Sequence, residues 1–428
     1  MNGIEVVESR FAPRTRGNVY YGWVVLVVAA LAMVATLPGR TQGLGLITEP
    51  LLRDLKSNRV NFALMNTFAT LIGSAFCLVC GPLIDRVGAR VVLTAVAAAL
   101  GISVLAMSRV TGSLGLLVTL TLTRGFGQSA LSVVSLALVG KWFVRKLPTA
   151  MGVYSFLIGI GFVAAFPGVG YAVKHFGWRQ VWWWMGWVLL AGLGSAAWLL
   201  VRRTPESVGL TVDGMPAVGS EMDATPQAGL TLDEALQTAA FWAFALSGAA
   251  YGLVSTGLML FNEAVLRERG FDYSMVLTVL GIVAFAGMVS NFLGGWLGQK
   301  WPPGRLMSAA MFLLAAALCA LPLAHTKAMA YAYAVAMGVS GGIVTVVFFL
   351  CWGKLFGRAH LGAVQGAAQL LTVLASALGP SLLAQSLRLT GSSTPLMFAL
   401  APIVAVLGAF CLAAPQPALR NALPAGDG

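Results

Sequence analysis

The chain is 428 residues long, 58% of them hydrophobic and 10% charged, with a formal net charge of +12. So apolar a composition excludes a soluble domain built on one large core and points to a polytopic membrane protein. The basic balance does not point to nucleic acid, because the bases fall in short segments between apolar runs, where they act as orientation signals.

Residues 1–19 carry Arg10, Arg14 and Arg16 and no apolar stretch, so no cleavable leader of the usual form is expected there. Twelve apolar spans follow, each near the length a bilayer requires. The first six cover 20–48, 61–83, 90–108, 114–140, 148–173 and 181–201. The second six cover 240–263, 275–297, 305–325, 328–352, 362–386 and 395–414. An even number of spans puts both termini on one side, and the excess of Lys and Arg makes that side the cytoplasm. The expected setting is the cytoplasmic (inner) membrane, the bilayer being the one macroscopic partner and the protein working as a monomer.

The first span contains Leu37-Pro38-Gly39-Arg40-Thr41-Gln42-Gly43. Pro38 removes a helical hydrogen bond, and Gly39 and Gly43 let other backbone approach closely. A guanidinium at such depth faces a partner, an aqueous cavity or a bound ion, and a weakened helix is a common way to build a transporter site. Arg40, with its neighbours Thr41 and Gln42, is therefore a substrate-binding candidate. The alternative is that Arg40 snorkels to the outer headgroups.

Cys77 and Cys80 have redox or metal-ligand spacing, but no His lies nearby, so they read as small packing residues. Trp178, Trp182, Trp183 and Trp184 open the sixth span and fit an interfacial aromatic belt. In the fifth span Gly159, Gly161, Gly168 and Gly170 read as close-packing sites with a kink at Pro167. Residues 202–239 are the one long hydrophilic stretch and read as a flexible cytoplasmic linker, with a short amphipathic helix over 232–239. The expected organisation is thus a tail (1–19), a six-helix bundle (20–201), the linker, a second bundle (240–414) and a tail (415–428).

The two halves repeat each other. Residues 41–54 align with 255–268, Gly140-Lys141 with Gly353-Lys354, and Pro167 with Pro380, at a constant shift of 213 to 214 residues. Such a repeat predicts two pseudo-symmetric bundles, with a binding site at their interface near mid-membrane.

The loop after the second span is Gly81-Pro-Leu-Ile-Asp85-Arg86-Val-Gly88-Ala-Arg90. It resembles the signature loop of the major facilitator superfamily, Gly-x-x-x-Asp-Arg/Lys-x-Gly-Arg/Lys-Arg. A degenerate copy, with Gln299 for the acid, follows the eighth span. The resemblance covers Tyr20 to Ala414 and implies an all-α fold of twelve transmembrane helices in two bundles, working by alternating access. Asp85 can accept charge-assisted hydrogen bonds from nearby arginines or a helix N-terminus, so Gly81, Asp85, Arg86, Gly88 and Arg90 are gating candidates. The alternative leaves Arg86 and Arg90 as orientation markers alone.

Within that superfamily the chain resembles the monocarboxylate transporter and oxalate–formate exchanger group. Gly22-Trp23 opens the first span, Trp142-Phe-Val-Arg-Lys-Leu-Pro-Thr-Ala-Met-Gly152 precedes the fifth, and Arg40 stands where that group keeps a lysine. The group's arginine and proton-accepting aspartate of the eighth span are here Asn291 and Gly287. No Asp or Glu is expected deep in any span. Glu49 and Glu263, related by the repeat, are either outer-gate groups or solvated end charges.

Arg124 is the other deep cation, and it suits bonding to a neighbouring helix as well as it suits a ligand. Gln128, Tyr251, Asn262, Asn291, Gln365 and Gln369 complete the candidate contacts, each alone also explicable as a helix–helix hydrogen bond. No phosphate-binding loop, catalytic nucleophile, cofactor site or metal site is recognisable, which argues against ATP drive and against an enzyme. The expected function is transport of a small organic anion, a monocarboxylate or dicarboxylate, by exchange or facilitated diffusion. The rivals are efflux of a drug or metabolite and a receptor that binds without moving its ligand.

Overall fold

A computed structural model describes residues 20–56, 59–214, 229–415 and 417. The tails and the middle of the linker, with Arg10, Arg14 and Arg16, lie outside the described residues.

Among those residues, twelve helices are long and apolar enough to cross a membrane. In the first half they are Gly22–Gly39, Leu64–Val87, Ala89–Ser108, Ser113–Trp142, Leu147–Phe176 and Trp178–Leu200. In the second half they are Ala239–Glu268, Ser274–Lys300, Pro303–Leu323, Lys327–Phe356, Leu361–Thr390 and Thr394–Ala413. Helix is what lipid demands of such runs, because every backbone group must be satisfied within its own segment. Most connections between spans are short, but residues 40–63 and the linker are not; Gly88 makes the turn between the second and third spans with φ of +100°, a conformation that a side chain disfavours.

Buried apolar side chains form two cores. One runs from Val25 to Val201 and also takes in Val346 and Leu350 of the tenth span. The other runs from Ala235 to Cys411. The halves join at the end of the molecule that carries the linker, called here the linker end. There, paired glycines remove the side chains that would hold helices apart. A Cβ on Gly81 of the second span would lie 2.9 Å from the Gly362 carbonyl carbon of the eleventh. A Cβ on Gly152 of the fifth span would lie 3.2 Å from Gly295 Cα of the eighth. Toward the far end the fifth and eighth spans draw apart: among the described residues a Cβ on Gly281 would meet nothing within 4 Å beyond its own stretch of helix, and Val163 is 67% exposed.

Several local expectations change. The first span is not one helix over 20–48: its α-helix stops at Val34, a 3₁₀ turn covers Leu37–Gly39, and short helices follow at Thr41–Gly45 and Thr48–Asp54. The linker helix covers Leu232–Leu236, started by a capping box between Thr231 and Glu234. Only Trp183 and Trp184 of the tryptophan cluster face outward; Trp178 and Trp182 are core, and Trp178 Nε1 donates to Asp54 at 2.7 Å. Among the fifth-span glycines, Gly161 packs on Val34, whereas a Cβ on Gly168 would meet no described residue within 4 Å beyond its own stretch of helix. Cys77 and Cys80 are buried free thiols.

Candidate functional site

The break in the first span is the centre of the site. Pro38 supplies no N–H, and Gly39 is pressed against the fourth span, where a Cβ would lie 3.0 Å from both Gln128 N and Gly127 Cα. That stretch of the fourth span, Arg124–Leu131, is π-helical, a wider winding often found at functional sites. Arg40 follows the 3₁₀ turn in an extended conformation, φ −92° and ψ 153°. The helix is therefore interrupted, not merely weakened, and the carbonyls it releases need donors.

Arg124 supplies one of them and ties the neighbouring side chains together. Its Nη1 donates to the Gly39 carbonyl at 3.0 Å, to Thr41 Oγ1 at 3.2 Å and to Gln128 Oε1 at 2.7 Å. Its Nε and Nη2 both donate to Asn66 Oδ1, at 3.2 and 2.5 Å. The residue is 1% exposed. Of the two roles open to Arg124, the geometry gives the structural one, and Gln128 serves it as an acceptor. Every one of its nitrogens has a protein acceptor here.

Arg40 is different. It is half-buried; its Nε donates to Thr36 Oγ1 at 2.6 Å, and its Nη2 lies 3.0 Å from Met33 Sδ and 3.5 Å from Ser132 Oγ. Its guanidinium carbon stands 5.3 Å from the centre of the Phe162 ring. Among the described residues its Nη1 has no hydrogen-bond partner and no carboxylate forms an ion pair with it. Thr41 and Gln42 beside it are exposed, and Gln42 Nε2 reaches Met259 Sδ of the seventh span at 3.8 Å. A cation held by neutral groups, with a donor to spare, suits an incoming anion.

Below Arg40, toward the linker end, Tyr154 shares a hydrogen bond with Ser135 at 2.6 Å and packs edge-on against Phe349 of the second half, 5.7 Å between rings. The second half's own candidates gather less tightly. Tyr251 lies over Gly341, and Asn262 is 7% exposed. Among the described residues, half-buried Asn291 has no partner for its Oδ1, Gln365, 1% exposed, has none for either amide atom, and Gln369 is half-buried. None of them hydrogen-bonds Arg40.

At the linker end Asp85 does join the halves. It accepts from the Gly362 and Ala363 amides, at 3.2 and 3.0 Å, at the N-terminus of the eleventh span. Lys141 Nζ lies 2.9 Å from its Oδ1, both side chains being 8% exposed. So the helix N-terminus and a lysine supply the donors, while Arg86 stays exposed and Arg90 lies over the Trp198 ring, 4.4 Å from its centre. The repeat copy lacks the acid, and Lys354, the mate of Lys141, donates to the Gly298 carbonyl at 3.2 Å. The linker adds its own clasp. Asp213 accepts from the Val144, Arg145 and Lys146 amides, at 3.2, 2.7 and 3.3 Å, and Glu206 pairs with Arg358 at 3.3 Å. At the far end Glu263 is paired with Arg267 of its own helix at 2.8 Å, and Glu49 is exposed.

Sequence reasoning missed Asn66, Ser132, Tyr154 and Phe162. Asn66 carried a usable signal, an amide inside an apolar run. Ser132 and Phe162 carried none, since hydroxyls and aromatic rings are ordinary in such helices.

The Major Facilitator Superfamily profile matches residues 23–380. Monocarboxylate transporter 13 of Bos taurus is 25% identical over 406 residues, 92% of this chain and 87% of that protein. The Rattus norvegicus protein of the same name is 26% identical over 352 residues, 81% and 74% of the two chains. The crystal structure of the human organic anion transporter MFSD10 (TETRAN) superposes with a TM-score of 0.65 at 15% identity, over 91% of this chain and 98% of that one. At that identity the likeness speaks for the fold.

Proposed function

Because the chain belongs to the Major Facilitator Superfamily, and is therefore a multi-pass membrane transporter and not an enzyme, we propose that it carries a small organic anion, a monocarboxylate or dicarboxylate, by alternating access. The observation that carries this reading is Arg40, half-buried at a break in the first span, with an unbonded Nη1 and no carboxylate partner among the described residues. Its planar fork matches a carboxylate. Relatives named monocarboxylate transporter, though only 25–26% identical, support the same class.

In this reading residues 20–201 and 240–414 move as two bundles about the site. Closure at the linker end, with Asp85 on the eleventh span, is one of the two end states, and release of Asp85 permits the other. The linker end faces the cytoplasm, by the excess of Lys and Arg there. The eighth span offers no carboxylate to carry a proton, and Glu263 is engaged by Arg267. Exchange of anions or facilitated diffusion is therefore the proposed mode. Purified protein in liposomes should show carboxylate counterflow without a pH gradient. Strict dependence on an imposed gradient would refute the mode, and absence of carboxylate flux under any gradient would refute the substrate class.

A further inference from the structure

We propose that a groove between the third and sixth spans at the linker end binds one anionic phospholipid, its headgroup held by arginines of the groove mouth. The groove has a volume of about 370 Å³ and is lined by Thr94, Ala98, Leu190, Ser195, Trp198 and Leu199 among others. Its polarity is graded. Arg90, Thr94 and Ala98 follow one another up the third span over about 12 Å at the helical rise. On the sixth span Trp198 and Leu199 stand at the mouth, Ser195 one turn in, and Leu190 deeper. Charge thus lies at the mouth, hydroxyls at the next turn and hydrocarbon beyond, the order of phosphate, ester and acyl chain in a phospholipid.

The mouth is strongly basic. Arg90 Nε donates to the Trp198 carbonyl at 2.8 Å and its guanidinium covers that ring, which fixes the groove's rim. Arg203 Nη2 donates to the Arg86 carbonyl at 3.2 Å, and Arg202 Nη1 to the Leu199 carbonyl at 2.8 Å. Arg86, Arg202 and Arg203 make no ion pair among the described residues, so no described acid neutralises their charge. Basic pockets between membrane helices favour anionic headgroups, and here charge complementarity selects the anionic over the zwitterionic lipid.

Native mass spectrometry of the full-length protein, titrated with phosphatidylglycerol or phosphatidylcholine of the same acyl chains, tests this. Phosphatidylglycerol should be retained saturably and preferentially. Arg202→Gln/Arg203→Gln should weaken its retention roughly 30-fold, about fivefold for each charge removed. Ser195→Phe, which fills the groove without touching charge, should abolish the preference as well; Thr94→Phe serves the same purpose if that variant does not fold. Lipid-free melting temperatures establish folding. Equal retention of both lipids would overturn the proposal. So would a loss confined to the charge variant, which would mean charge attraction without a site, or a loss confined to the groove variants, which would mean no headgroup selection.

Discussion

Arg40 and Arg124 stand on either side of one break in the first span, and both are arginines in a region where charge is rare. Arg124 is 1% exposed and bonded through all three nitrogens to groups of its own half. Arg40 is half-buried, rests on a hydroxyl, a thioether and an aromatic ring, and among the described residues has no partner for Nη1. The rarity of a deep cation therefore says that something must satisfy it, and only the surroundings say whether that something is the protein or a ligand. Here the first arginine stabilises the geometry that leaves the second one available.

The largest effect that this contrast predicts is on folding. Arg124→Met strands Asn66, Gln128 and the Gly39 carbonyl without a donor, and each buried acceptor left unsatisfied costs about 1–3 kcal/mol. Chemical denaturation in detergent should show that loss, whereas Arg40→Gln should change stability by no more than about 0.5 kcal/mol. Similar losses for both would erase the distinction.

A smaller effect carries the contrast to the linker end, where Asp85 is as fully engaged as Arg124. Asp85→Asn removes the charge but keeps an acceptor, so about 1.5–3 kcal/mol of the joint should go, roughly 10- to 150-fold in the equilibrium between end states. Cysteine accessibility from the linker end should rise, and transport should slow while carboxylate affinity holds. Unaltered accessibility and flux would remove Asp85 from the gate.

Gln365 tests the contrast from the opposite side, since it is as buried as Arg124 but neither amide atom has a hydrogen-bond partner among the described residues. An unsatisfied buried amide weakens the state that contains it. Gln365→Leu should favour linker-end closure by about 1–2 kcal/mol and lower the accessibility that Asp85→Asn raises. Raised accessibility instead would mean that the amide has a partner in the closed state.

Much of the fold was legible in the sequence because lipid leaves apolar runs little choice but helix. The site was legible only where one residue carries its own signal. Pro38, Gly39 and Arg40 announced a weak point, but the full break depends on Gly39 meeting Gly127, a contact between spans that no local pattern encodes. Arg124 could not be assigned because its main partner, Asn66, is 58 residues away. Asp85 was marked by its motif, yet its backbone donors lie 277 and 278 residues further on. Short-range chemistry selects the residues in these cases, and helix packing then decides their roles.

Titration of purified protein with a small carboxylate, followed by calorimetry, is the most direct measurement of Arg40's role. Loss of one charge-assisted contact should weaken binding in Arg40→Gln by about 1.5–3 kcal/mol, roughly 10- to 150-fold. Arg40→Lys should recover only part of that, because a point charge cannot reproduce the planar fork. Wild-type affinity in a folded Arg40→Gln protein would contradict the account.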